Sequence, residues 1–454
     1  MRKLPLISII LLLITPADSG AEEYRLNELI ELAKNRVEFV RIAESEKERI
    51  EGLRDEAYGS AYPKLQATAL IGGPVPQALG DVENVSTSSE VGPYSFNNFG
   101  VLVREEINVL VPFYTFGKIA DYKKAGDHGA LAAEQGVKVK KAEVTRDVYK
   151  AYWGYQTTEA ALKKLAEGEK TVDKVADKIS KWLDEENPAV TEIDRLKLDY
   201  FSYQLKLRKL AVKRAQEQAK NAIALLTGMN AGERFDVAHA DILVFPKKVG
   251  SLPELTEKAN RFRPELKFTL HSRLAMLSLY EAAQKYWFPS FFVGAEFKHS
   301  WSNATTDQTN PFVRDDWNYI EGGVGFGLKL EYDFMVNRAK ERQARGEYDK
   351  ASAIYDLAAR GAPLDVKEKY ESLQKAREKC ELRAESEAAV KRWLTAEMMN
   401  FEMGIVDTRS LIEALVASFE AELTRISAAF EYREAYADLQ FAVGKTEELN
   451  ESDR

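Results

Sequence analysis

The chain has 454 residues, with 72 acidic against 64 basic side chains and a formal net charge of −8. That balance disfavours nucleic acid, which wants a basic surface. The single cysteine, Cys380, excludes an intrachain disulfide, and the four histidines (His128, His239, His271 and His299) lack the HxxxH or HxH spacing of a metal site.

Residues 1–21 read as a secretory signal: Arg2 and Lys3, an apolar run from Leu6 to Ile14, then Ser19-Gly20-Ala21 as a small-residue cleavage site. The run falls short of the roughly 20 residues of a spanning helix. Its removal predicts a mature charge one unit more negative. No cysteine lies near the cleavage site, so an N-terminal lipid anchor is not expected.

The mature chain contains itself twice. Leu26-Asn27-Glu28-Leu29-Ile30-Glu31-Leu32-Ala33 matches Leu252-Pro253-Glu254-Leu255-Thr256-Glu257-Lys258-Ala259, and the same offset carries Ala57 to Ala283, Pro63 to Pro289 and Ala69 to Ala295. Gly126 and Gly346, then Gly228 and Gly444, follow in order, with the second copy shorter by about one helical turn. This predicts a first repeat over 22–229, a linker over 230–251, a second repeat over 252–445 and a tail over 446–454. Duplication at this length suggests one unit used twice around a shared axis or wall.

Within each repeat, N-terminal helices precede two strands and a long helical hairpin. Strands are expected at about 64–71, 99–111, 290–301 and 319–332. There Leu65, Ala67 and Ala69, or Ile320, Val324, Phe326 and Leu328, alternate with polar or small residues. A soluble sheet with one wet face has the same pattern. Residues 72–98 and 302–318 read as loops, and Trp301, Trp317 and Tyr319 fall near strand ends, where interfacial aromatics belong.

Proline-free stretches rich in Ala, Leu, Lys and Glu predict hairpins at about 117–227 and 337–443, the second interrupted at Gly361-Ala362-Pro363. They turn at Asn187-Pro188-Ala189 and Met403-Gly404-Ile405. Val144, Val148, Ala151, Tyr155, Leu162, Leu165, Val172, Ala176, Ile179 and Leu183 form a three-four seam. The helix after Pro188 carries two stripes, one through Ile193, Leu196, Tyr200, Tyr203, Leu207 and Leu210 and another through Leu198, Phe201 and Leu205. Two stripes fit a helix with neighbours on two sides, although an ordinary bundle helix has the same periodicity.

Four strands cannot close a barrel, and lipid does not tolerate open edges, so membrane strands here demand several chains in one barrel. The chain also resembles the TolC-like outer-membrane efflux family over nearly all of its mature length. The resemblance is carried by Leu26-Asn27-Glu28-Leu29, Pro112-Phe113-Tyr114-Thr115-Phe116-Gly117-Lys118, Arg263-Pro264-Glu265-Leu266 and Tyr286-Trp287-Phe288-Pro289. Phe401-Glu402-Met403-Gly404 with Ser410-Leu411-Ile412-Glu413-Ala414 and the closing Gly444 add to it.

The resemblance implies a mainly α protein with a membrane β-barrel part. A homotrimer would build a twelve-strand barrel in the outer membrane of a Gram-negative bacterium and an α-helical tunnel across the periplasm. It implies an exit duct for a tripartite efflux pump or type I secretion system, with a periplasmic adaptor and an inner-membrane pump as partners. The adaptor would dock at the hairpin tips (Asn187, Pro188, Ala189, Met403, Gly404 and Ile405). The family's acidic pair at the narrow end falls on Ser410 and Glu413, so its first acid is missing, with Asp407 nearby; the latching arginine falls on Val406. A periplasmic coiled-coil adaptor without a pore is the alternative, disfavoured by the duplicated hairpin and four amphipathic strands. Asp315-Asp316 and Glu105-Glu106 are the nearest things to catalytic carboxylates, but no nucleophile, metal cluster or phosphate loop accompanies them, so neither enzyme activity nor a cofactor is expected.

Overall fold

The structure is a computed structural model that describes residues 22–77, 95–186, 190–230, 235–243, 249–305, 315–403 and 408–450. The expected signal and most of both hairpin turns lie outside these residues. In chain order the elements are β1 (Glu22–Tyr24), α1 (Leu26–Arg36), α2 (Glu38–Gly59), β2 (Lys64–Gln77), β3 (Ser95–Tyr114), α3 (Lys118–Asp184) and α4 (Glu192–Thr227). There follow β4 (Phe235–Val237), α5 (Leu252–Phe262), α6 (Pro264–Gln284), β5 (Ser290–Ser302), β6 (Tyr319–Lys329), α7 (Phe334–Glu402) and α8 (Thr408–Val443).

The duplication is therefore structural. α1 and α5 have 11 residues each, and α4 and α8 have 36 each. α3 starts as far before α4 as α7 does before α8, so the hairpins are matched in span and the expected one-turn shortening is not seen. Both hairpins end on a left-handed glycine, Gly228 at φ 67° and Gly444 at φ 76°, and a β-carbon on Gly444 would stand 2.8 Å from the Arg263 backbone. Only glycine takes this conformation without strain while allowing that approach.

The chain divides into two compact units. One comprises Met1–Arg41, Lys140–Arg263 and Ala362–Arg454. Its core gathers Leu29, Ile30, Ala33 and Val37 with Val148, Trp153, Ile223, Leu439 and Ala442. A second cluster joins Leu165, Val172 and Ile179 of α3, Leu198, Phe201 and Leu205 of α4, and Leu411, Ile412, Leu415 and Phe419 of α8. Six residues of the α3 seam are buried: Val144, Val148, Tyr155, Leu165, Val172 and Ile179.

The expected linker, or equatorial segment, over 230–251 contributes β4, which pairs in parallel with β1. Arg433 of α8 holds the residues that follow. Its buried guanidinium lies 3.1 Å from the Trp153 ring centre and donates to the carbonyls of Asp241 (3.4 Å) and Ile242 (3.5 Å). A buried cation needs such donors' partners and a π face to offset its lost hydration.

The other unit comprises Ile42–Val139 and Pro264–Gly361. It holds an antiparallel sheet in the order β2-β3-β5-β6. β2 and β3 extend beyond the expected bounds to Gln77 and from Ser95, so parts of the predicted 72–98 loop are strand; β6 stops at Lys329, before the predicted end. Tyr122 and Tyr286 share a 2.7 Å hydroxyl bond, and Lys285 is paired with Asp121.

α7 runs unbroken through Pro363, against the expected interruption. One missing N–H and a local clash cost about 3 kcal/mol, which the packing of Val366, Leu373 and Cys380 in the following turns can offset.

Candidate conduit wall and hairpin tip

Strand register sorts the sheet into two faces. Leu65, Ala67, Ala69 and Ile71 of β2 align with Val109, Ile107, Glu105 and Val103 of β3, and these with Ala295, Phe297, His299 and Trp301 of β5. On β6, Val324, Gly322 and Ile320 align with Ala295, Phe297 and His299, and Phe326 with Val293 of the same face. The surface is apolar except for Glu105 and His299, which pair at 3.4 Å near one end. It is also bare: Val324 is 78% exposed and Phe326 85%. An apolar face of this extent is not left in water.

The opposite face is polar along its middle, with Gln66 and Thr68, Arg104, Glu106 and Asn108, Glu296 and Lys298, and Glu321, and carries Leu70, Leu102, Leu110 and Phe292 beside them. Asn108 donates to Glu106 at 2.8 Å and Lys298 pairs with Glu296 at 2.5 Å. On β6 this face is nearly backbone, since Gly323, Gly325 and Gly327 supply it. One wall is thus built for hydrocarbon and the other for water. β2 and β6 each have one neighbour, so both outer edges of the sheet remain open.

At the other functional locus, α8 begins at Thr408. Ser410 lies in its first turn and is half-buried, while Glu413, one turn on, is exposed. Glu413 accepts from Arg409 at 3.0 Å, a partner the sequence reading did not assign. The i, i+4 spacing alone could have found it. Met403 ends the preceding segment, exposed. Asn187, Pro188, Ala189, Gly404, Ile405 and Asp407 lie outside the described residues.

The coil of α7 on α8 contains a feature that the sequence reading missed. Val366, Leu373, Cys380, Glu387, Leu394 and Phe401 recur every seven residues along α7, five of them buried and Leu394 partly so. Glu387 is the polar member. Its carboxylate receives Arg425 Nη1 and Lys391 Nζ, both at 2.6 Å. Burial pushes the acid up, but these two bonds outweigh it and hold Glu387 below the usual carboxylate value. One glutamate in an otherwise apolar heptad ladder was its sequence signature. Beside this coil, α4 and α8 border a groove of about 600 Å³ lined by Leu196, Tyr200, Phe201, Ile412, Val416 and Glu420.

No group of three or more His, Cys, Asp or Glu suited to a metal occurs among the described residues. No described helix is long and apolar enough to cross a membrane.

The family model for outer membrane efflux proteins matches residues 255–445, the second repeat. The fold is that of solved outer-membrane channels at low sequence identity. The CmeC outer membrane channel of Campylobacter jejuni is 16% identical, with 93% of this chain and 86% of that one covered and a TM-score of 0.76. The outer membrane protein VceC of Vibrio cholerae is 14% identical over 92% and 96%, at 0.75. The MtrE outer membrane channel of Neisseria gonorrhoeae is 18% identical over 92% and 89%, at 0.72. No curated protein matches the sequence.

Proposed function

Starting from a chain that is a TolC-like outer-membrane efflux protein by its second repeat and by its fold, we propose that three copies form one exit duct, which accepts cargo from an inner-membrane pump through a periplasmic adaptor. The family and fold place the chain in the outer membrane with a periplasmic extension. The observation that carries the proposal is the two-faced sheet with two open edges. Its apolar side needs lipid, and lipid forbids the edges. Three copies join β6 of one chain to β2 of the next and leave no edge.

The duct performs no chemistry. It holds no cofactor and takes its driving force from the pump, supplying width, charge and a gate. The helix reversals at Asn187-Pro188-Ala189 and Met403-Gly404-Ile405 are the docking surface for the adaptor, which serves either an efflux pump or a type I secretion machine. Glu413, with Ser410 and Asp407, lines the narrow end. A carboxylate repeated by threefold symmetry makes a ring that favours cations.

Mass measurement in detergent should give three chains. A stable single chain with a folded β signal would overturn the duct. Cysteines at 188 or 404 should crosslink in cells to an adaptor; crosslinks arising only from the loop between β2 and β3 would refute tip docking.

A further inference from the structure

The histidines lack metal-site spacing along the chain, but folding brings two of them together. His128 of α3 and His271 of α6 stand with ring centres 5.7 Å apart and planes inclined by 26°. The two helices run antiparallel here. Phe268 lies against Gly136 on one side of the pair, and Tyr122 bonds Tyr286 on the other, beside the pair of Asp121 with Lys285. The rings are therefore fixed from both ends, on two helices of one compact unit.

Both rings are half-buried, yet both Nδ1 atoms are withdrawn from water and have no hydrogen-bond partner among the described residues. A nitrogen so placed loses its hydration with nothing in return. One such atom could be an accident of packing. Two, on adjacent rings from different repeats, call for a shared partner, either an ion or a water. Glu134 of α3 acts electrostatically on His271 and would offer a cation countercharge, although Lys138 already pairs with it at 2.7 Å.

Imidazole nitrogen is a ligand for first-row transition metals. A structural zinc site wants four protein ligands, and the described residues offer no third beside this pair. Divalent copper binds such nitrogens most strongly of the series and takes water at its other positions. With about 2 Å from metal to nitrogen, two imidazoles on one ion set their ring centres at most roughly 6.5 Å apart. The observed separation of 5.7 Å fits a bent bridge.

We propose that His128 and His271 hold one divalent copper ion through their Nδ1 atoms, with water completing the coordination. The ion does no chemistry. It clips α3 of the first repeat to α6 of the second, and it does not depend on the oligomeric duct. On the repeat offsets His271 falls on Ser45, and His128 falls on Ala344 or Tyr348, so the site occurs once per chain.

The test uses the full chain without a histidine tag, stripped with a chelator in detergent and titrated with copper(II) alone. One tightly bound ion per chain is expected. Electron paramagnetic resonance of protein labelled with isotopic histidine should count two imidazole nitrogens on it. His128→Gln and His271→Gln should each weaken binding by at least roughly 10–100-fold, the loss that even outer-shell changes produce. His239→Gln with His299→Gln should leave it unchanged. Copper should raise the melting temperature of wild type and not that of His128→Gln with His271→Gln. The labelled wild type decides the question even where a variant fails to fold. Absence of a tight ion would overturn the site and assign the two nitrogens to a bridging water. Fewer than two imidazole nitrogens on the ion, or binding that survives the double variant, would overturn it as well.

Discussion

The buried carboxylate in the α7 ladder gives the sharpest energetic test. Glu387 is 7% exposed, whereas Arg425 and Lys391 keep 34% and 48% of their side chains in solvent. The three partners therefore differ in what their loss leaves behind. Removing both cations (Arg425→Ala with Lys391→Ala) strands a charge away from water. That should cost about 3–5 kcal/mol, roughly a hundred- to several-thousand-fold in the unfolding equilibrium. Replacing Glu387 with Leu completes the apolar ladder and leaves two cations that water can reach, with Lys391 still 3.1 Å from Glu422. That change should be neutral or stabilising by up to about 4 kcal/mol.

Acidity separates the two cases further. The depressed native value of Glu387 means its contribution is present above the unfolded carboxylate value of about 4.3 and is lost as pH falls through the lower folded value. Without its cations, burial alone raises the acid, and the sign reverses: the double variant should lose stability as pH climbs. Guanidinium unfolding followed by helical circular dichroism in detergent, at pH values from 3 to 8, measures both effects. A loss above about 2 kcal/mol for Glu387→Leu would refute the argument, as would a double variant within about 1 kcal/mol of wild type.

Arginine at Val324, on the apolar face of β6, should cost about 2–4 kcal/mol in membrane insertion, while arginine at the adjacent Gly325 should cost far less; folding yields into lipid vesicles compare them. Gly168→Val should lose about 1–3 kcal/mol because its β-carbon would lie 2.5 Å from Phe419, whereas Gly346→Ala, with open space around it, should gain about 0.5–1 kcal/mol. Thermal melts of the two variants check this pair. Glu413→Gln should weaken cation preference and block by multivalent cations in planar bilayers, and Arg409→Gln should strengthen both. Neither should change stability by more than about 0.5 kcal/mol, since the pair is exposed.

The duplication, the strands and the two stripes of α4 were legible because each is a periodic demand that repeats along the chain. The stripe through Ile193 and Tyr203 is apolar without being buried in its own chain, so periodicity revealed the face and left its partner open. Pro363 misled because a proline's local penalty is visible in sequence, while the packing that overrides it is spread over several turns. β4 is three residues long and depends on β1, more than two hundred positions earlier, so no local signal announced it. Arg433 was equally hidden: a helical arginine reads as solvated until Trp153 and the carbonyls of 241 and 242 are brought against it. At the tip, spacing gave Glu413 but not Arg409, whose charge opposes the field assigned to the glutamate.

The polar face of the sheet has a consequence for what passes along it. Lys64, Arg104, Lys298 and Lys329 stand against Glu106, Glu296 and Glu321 on one wall, beside the open backbone of Gly323 and Gly325. Such a wall is close to an electrical balance. A travelling anion and a travelling cation meet similar barriers there, and neither is held for long. In the proposed duct, rectification and ion preference then fall to the proposed narrow end at Glu413, and exchanging the sheet for another barrel wall of the same girth should leave the current–voltage curve nearly unchanged.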